Sequence, residues 1–101
     1  MSGITTHVLD TSRGRPGAGI AVSLWRGDAL LRETRTDADG RARMADAMEP
    51  GTYRIVFKIG TYFDECFYPE AAVTFEVRDA AQHYHVPLLV SPFGYSTYRG
   101  S

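Results

Sequence analysis

The pattern that most narrows what this chain can become is an alternation of apolar and polar residues with period two, repeated in short runs. In "TYRIVFKI", Tyr53, Ile55, Phe57 and Ile59 share one face, and Thr52, Arg54, Val56 and Lys58 the other. "VTFEVR" sets Val73, Phe75 and Val77 against Thr74, Glu76 and Arg78, and "GIAVSLWRG" puts Ile20, Val22 and Leu24 on one side. "HYHVPLLV" offers Tyr84, Val86, Leu88 and Val90 opposite His83, His85 and Pro87. "ITTHVLD" places Ile4, Thr6 and Val8 opposite Thr5, His7 and Leu9. Successive side chains of a strand leave opposite sides of the backbone, so each run presents one face to a core.

Turn-forming residues separate the runs. "SRGRPGAG" (12–19) reads as a loop, "DADG" (37–40) and "EPGT" (49–52) as tight turns, and "SPFG" (91–94) as a hairpin connection between the last two strands. Only residues 60–66 hint at a helical turn. About seven to eight short strands predict an all-β, immunoglobulin-like β-sandwich with at most one short helix. Pro87 has no N–H to give to a ladder, so its strand is expected to show a gap in pairing there.

The 101 residues are expected to form one domain, 1–101, around a single core. A hydrophobic fraction of 44% argues against disorder. Eleven basic against twelve acidic side chains leave no basic excess, so nucleic acid is not an expected partner. No apolar stretch is long enough to span a bilayer, and no membrane partner is expected. Cys66 is the only cysteine, which rules out an internal disulfide and favours a reducing compartment. "MSGITTHVLD" lacks the basic and apolar regions of a signal peptide, and "RGS" is not a peroxisomal signal. The expected location is the cytoplasm.

Three histidines, His7, His83 and His85, are the groups best suited to chemistry. Alternation turns His7 and His85 away from the core, onto faces where an external cleft or a subunit interface could use them. One option is a metal: His83 and His85 at i and i+2 point the same way, and His7 could complete a three-histidine zinc site. The other is metal-free hydrolysis, in which a neutral histidine takes a proton from water. An arginine would then stabilise oxyanion charge and hold a flat, carbonyl-rich ligand. Arg41 follows the "DADG" bend directly, although taken alone its plainest role is that of an exposed turn residue. No Gly-x-Ser-x-Gly elbow, phosphate-binding glycine loop or Cys/His dyad spacing is present, and Cys66 reads as a buried or half-buried thiol.

"TTHVLDTSRGRPGAGI", "TDADGR" and "HYHVPLLVSPFGYSTYRGS" together resemble the 5-hydroxyisourate hydrolase family of transthyretin-related proteins. The three blocks stand in the family's order, and the last stops at the family's usual terminus. The resemblance implies a prealbumin-type β-sandwich and a homotetramer assembled as a dimer of dimers. It implies a small-molecule substrate, 5-hydroxyisourate, whose six-membered ring is opened to 2-oxo-4-hydroxy-4-carboxy-5-ureidoimidazoline in urate degradation, with no cofactor or metal. Carried over residue by residue, catalytic roles fall on His7, Arg41, His85 and Ser101, and substrate contacts on Tyr98, Arg99 and Gly100.

In the mechanism this implies, one of His7 and His85 polarises a water that attacks the lactam carbonyl. Arg41 stabilises the oxyanion, and Ser101 orients water or substrate through its hydroxyl or a terminal carboxylate. His83 is left without a role. Transthyretin itself, a hormone carrier on the same fold, lacks this combination of histidines and tail. A transthyretin-like carrier without turnover and a zinc hydrolase using His7, His83 and His85 are the alternatives. The chain departs from the family at "KIGTYFDECFYPE" (58–70), which is several residues shorter than usual where the family carries a short helix.

Overall fold

The computed structural model describes residues 2–101 and turns the alternating runs into strands of two facing sheets. In chain order the strands are β1 (Gly3–Asp10), β2 (Arg15–Pro16), β3 (Ala21–Arg26), β4 (Ala29–Arg35), β5 (Arg41–Ala45), β6 (Gly51–Lys58), β7 (Ala71–Val77), β8 (His83–Ser91) and β9 (Gly94–Thr97). One sheet has the order β2-β1-β8-β9, with β5 pairing β1, and the other is β4-β3-β6-β7. This is the all-β sandwich that the alternation predicts.

β1 is the hub of the first sheet. It runs parallel to β8 from Gly3↔His83 to Asp10↔Val90, and its other edge holds β5 near its start and β2 at its end. Ile4, Val8, Tyr84, Val86, Leu88 and Val90 face inward and meet Val22, Leu24, Tyr53, Ile55 and Phe57 of the second sheet in one continuous core. Burial of each such side chain stabilises the fold by about 1.5–3 kcal/mol before entropy is counted. Every inward residue assigned by alternation in β1, β3 and β8 is buried.

β4 and β5 carry no apolar alternation. β4 is an edge strand, exposed along most of its length, including Leu30 and Leu31. β5 sends Arg41 and Arg43 outward and bulges at Met44, where the register with β1 shifts between Ile4 and Thr5. The helical turn foreseen for residues 60–66 is a single 3₁₀ turn at Ile59–Thr61. Among the described residues, no helix is long and apolar enough to cross a membrane.

Pro87 leaves the gap its chemistry demands. β9 pairs with β8 from Ser91↔Gly94 to Leu88↔Thr97, and pairing resumes only at the isolated bridge His85↔Gly100. The register across the gap is unchanged, so the missing rung is the one in which the Pro87 nitrogen would face Tyr98. The Thr97 hydroxyl instead donates to the Pro87 carbonyl at 2.7 Å.

The 3₁₀ segment is tied to β1 through a buried acid. Asp10 is fully buried and accepts hydrogen bonds from the Tyr62 hydroxyl (2.7 Å), the Ser12 hydroxyl (2.6 Å) and the backbone N–H groups of Ser12 and Arg13. The Arg13 guanidinium adds a charge 3.6 Å away and lies over the rings of Tyr62 and Phe63. Burial alone would raise the carboxyl pKa, but these donors hold it below its usual value of 3.8. A depressed carboxyl pKa contributes stability that is present above pH 3.8 and is lost as pH falls through the lower folded value. Asp10→Asn is expected to cost about 2 kcal/mol or more in denaturant unfolding at neutral pH, because it removes the charged acceptor of several bonds. The gap between variant and parent should narrow in acid.

Candidate active site

The candidate catalytic residues gather on the outer face of the β1 sheet. His7 of β1 lies opposite Arg41 of β5 and opposite Pro87 of β8, while Thr5 lies opposite His85. His7 and His85 are thus diagonal neighbours on adjoining strands, about one strand spacing (~4.8 Å) apart laterally and two residues apart in register. Directly opposed residues of an antiparallel pair, such as His7 and Arg41, have Cβ atoms about 5 Å apart.

The "DADG" turn holds the backbone of Arg41 and the ring of His7. The Asp37 carboxylate accepts from the backbone N–H groups of Asp39 and Arg41, both at 2.9 Å, and Gly40 donates back to the Asp37 carbonyl. The Arg41 backbone bond, helped by that of Asp39 and by the charges of Arg41 and His7, holds the Asp37 carboxyl below 3.8. Gly40 has φ +77° and sits so close to the Val8 carbonyl of β1 that any side chain there would collide with it. The docked turn presents the Asp39 carbonyl to Nε2 of His7 at 2.9 Å. A carbonyl only accepts, so His7 carries a proton on Nε2.

Arg41, His85 and Ser101 line a cleft of about 580 Å³ between the outer face and β4. Thr5, His83, Thr34, Asp37 and three further arginines, Arg32, Arg35 and Arg43, also line it. Four arginines against one acid among its lining residues make it cationic, with Arg43 also paired to Asp46 at 3.4 Å. Burial pushes the His85 imidazole below its usual pKa of 6.5, and the charges that His7 and His83 carry when protonated, with that of Arg41, push the same way, which favours the neutral ring at physiological pH.

The tail divides. The Gly100 N–H donates to the His85 carbonyl at 2.8 Å, and a Cβ at Gly100 would stand 2.5 Å from Cδ2 of the His85 ring. Ser101 reaches the cationic cleft, whereas Tyr98 and Arg99 line a neighbouring cavity of about 220 Å³ with Phe75, Tyr84 and the other side of His85. Arg99 lies 4.7 Å over the Tyr84 ring and donates to Gln82 at 3.0 Å. His7 stands beside the cleft, on the Arg41 side, without lining it.

Sequence reasoning missed Thr5 and the arginines of β4. Thr5 shares its face with His7 by alternation alone, a signal that was available. Arg32 and Arg35 come from a strand with no apolar periodicity, so nothing marked their direction. Among the described residues, no three His, Cys, Asp or Glu side chains converge closely enough to hold a metal ion. Thr5 engages a ring nitrogen of both His83 and His85, and Asp39 engages one of His7.

Two sheets closed over one core, with paired histidines and an arginine on an outer face, define a prealbumin-type sandwich bearing a cationic cleft. The model of the HIUase/Transthyretin family matches residues 4–100, and the chain belongs to that family. It is 48% identical over 115 aligned positions to the 5-hydroxyisourate hydrolase of Caulobacter vibrioides, with both chains fully covered. The structure of Klebsiella pneumoniae 5-hydroxyisourate hydrolase superposes with a TM-score of 0.90 at 37% identity, covering 100% of this chain and 94% of that one. Sea bream transthyretin in complex with thyroxine shares the fold, with a TM-score of 0.90 at 24% identity over 97% of this chain and 94% of its own.

The electrostatics of the cleft set one expectation. In a pH titration followed by histidine ring resonances, His85 should show its midpoint below 6.5. A midpoint at or above that value would mean that the ring is neither buried nor crowded by cations as described.

Proposed function

We propose that the chain hydrolyses 5-hydroxyisourate in urate degradation, adding water across the lactam bond of the six-membered ring. The observation that carries this reading is the gathering of His7, Arg41 and His85 on one outer face, beside a cationic cleft that Ser101 enters, in a member of this family. Its relatives at 48% and 37% identity are hydrolases of this substrate. The structure likeness to transthyretin, at 24%, speaks for the fold only.

In the proposed mechanism His7 is the general base. Its Nε2–H is committed to Asp39, so the neutral ring keeps its lone pair on Nδ1, which takes a proton from water as the oxygen bonds to the lactam carbon. Arg41, held opposite His7, carries the developing oxyanion. Collapse breaks the ring C–N bond and yields a carboxylate, and the leaving nitrogen receives a proton from the site. The cationic wall of Arg32, Arg35 and Arg43 suits both the carbonyl-rich substrate and the carboxylate that forms. Ser101 orients water or substrate, Gly100 holds the tail against His85, and Tyr98 and Arg99 support the tail from the adjoining cavity. We place this chemistry in the cytoplasm.

A homotetramer, built as a dimer of dimers, belongs to the same proposal. Among the described residues β9 pairs only with β8, so one of its edges is open; Phe67, Tyr68 and Tyr95 form an exposed aromatic cluster against it, and Phe93 is exposed at its turn. Leu9 and Leu89 flank the histidines on the outer face. Open strand edges and aromatic patches of this kind are suited to a second copy.

Ultraviolet spectroscopy of freshly made 5-hydroxyisourate should show its loss accelerated by the protein. His7→Asn and His85→Asn should each lower kcat about a hundredfold or more, and chelator treatment should leave turnover unchanged. Loss with chelator, restored by zinc, would move the assignment to a zinc hydrolase; tight binding without turnover would point to a carrier. In sedimentation the protein should run as a tetramer, and a fully active monomer would sink the interfacial assembly.

A further inference from the structure

Thr5 has one hydroxyl proton and two imidazole neighbours. Its Oγ1 lies 2.8 Å from Nε2 of His83 and 2.8 Å from Nδ1 of His85. Between neutral rings both contacts are hydrogen bonds only if one ring donates to the oxygen and the hydroxyl donates to the other. The two possible arrangements differ at a third atom, Nδ1 of His83, which is buried and has no hydrogen-bond partner among the described residues. If the hydroxyl pointed at His83, that ring would bear its proton on Nδ1, leaving a buried N–H unpaired. If His83 donates from Nε2, the same atom is a bare lone pair, the less costly of the two defects.

We infer that Thr5 and His83 are positioning residues for His85: His83 donates to Thr5, Thr5 donates to Nδ1 of His85, and the His85 proton is thereby fixed on Nε2. His85 then enters the reaction as a hydrogen-bond donor to the substrate or to the leaving nitrogen, and its Nδ1 is withdrawn from acting as a base. This divides the labour with His7, whose proton is held on the nitrogen facing Asp39. The depressed pKa of His85 favours the neutral ring, the state in which a choice between tautomers exists. The functional consequence rests on the hydrolase reading above, whereas the proton arrangement does not.

The test is a long-range proton–nitrogen correlation spectrum of nitrogen-15-labelled protein at neutral pH. It should show His83 and His85 both bare at Nδ1 and protonated at Nε2. His85 protonated at Nδ1 in the unaltered protein overturns the inference without any substrate being used, and leaves the hydrolase reading standing. Thr5→Val should give His85 a mixture of tautomers and lower kcat about tenfold or more, as a misplaced imidazole proton does elsewhere, with KM little changed. Thr5→Ser should restore both the tautomer and kcat. His83→Phe should act in the same direction as Thr5→Val, because without a donor on its far side the hydroxyl is free to accept from His85. Unaltered tautomer and kcat in folded Thr5→Val would overturn the assignment.

Discussion

Ile4, Thr6, Val8 and Asp10 enter the interior from β1, and strand geometry then leaves Thr5, His7 and Leu9 only the outer face. Because β1 is bonded along both edges, to β8 on one side and to β5 and β2 on the other, this parity is imposed on its neighbours as well. A slip of one residue would bury His7 and expose Ile4 and Val8, at a cost of several side-chain burials. Core packing, and not any preference of the histidines themselves, therefore decides that His7, His85, Arg41 and Thr5 meet on one surface. The hydrophobic effect sets the register, and the register assembles the chemistry.

The same parity explains what could be read from the sequence. β1, β3, β6, β7 and β8 each bury one face, so each writes a period of two into the chain, and the outward direction of His7 and His85 follows from it. β4 is exposed on both faces and β5 alternates arginine with alanine, so neither writes such a signal, and Arg32, Arg35 and Arg43, which they bring to the cleft, were invisible. Arg41 stood out only through the family resemblance: the "DADG" turn is a local device whose carboxylate satisfies its own backbone and fixes the backbone of the residue that follows, which by itself marks an exposed turn residue. The bridge from Thr5 to two histidines depends on the register of Thr5 with His85, 80 positions further along the chain, which no local pattern records.

Buried polarity takes two forms here, and the contrast locates function. At Asp10 the buried acid is surrounded by donors from four groups, which is how polar atoms are normally accommodated in an interior that serves stability alone. Thr6 and Thr36 follow the same rule, each with its hydroxyl bonded to a backbone carbonyl. His83 does not, since among the described residues one ring nitrogen is left without a partner while the other is held by Thr5. Departures from complete satisfaction concentrate where a protein positions groups for a task, and this one lies a single hydroxyl away from His85.

The tail closes the site by the same economy of backbone bonds. Had residue 87 carried an N–H, β9 could have continued past Thr97 as an ordinary edge strand, with Tyr98 paired in the ladder. Proline deletes that rung, and the chain regains β8 only at Gly100, where the absence of a side chain allows the backbone to lie against the His85 ring. Across the gap, Arg99 folds over Tyr84 and binds Gln82, which anchors the loosened segment. A β-branched residue in place of Gly100 would restore neither the missing rung nor the contact, because its Cβ would have to displace the imidazole. Pro87 and Gly100 thus act as a pair: one releases the tail from the sheet and the other lets it return at the single point from which Ser101 enters the cleft.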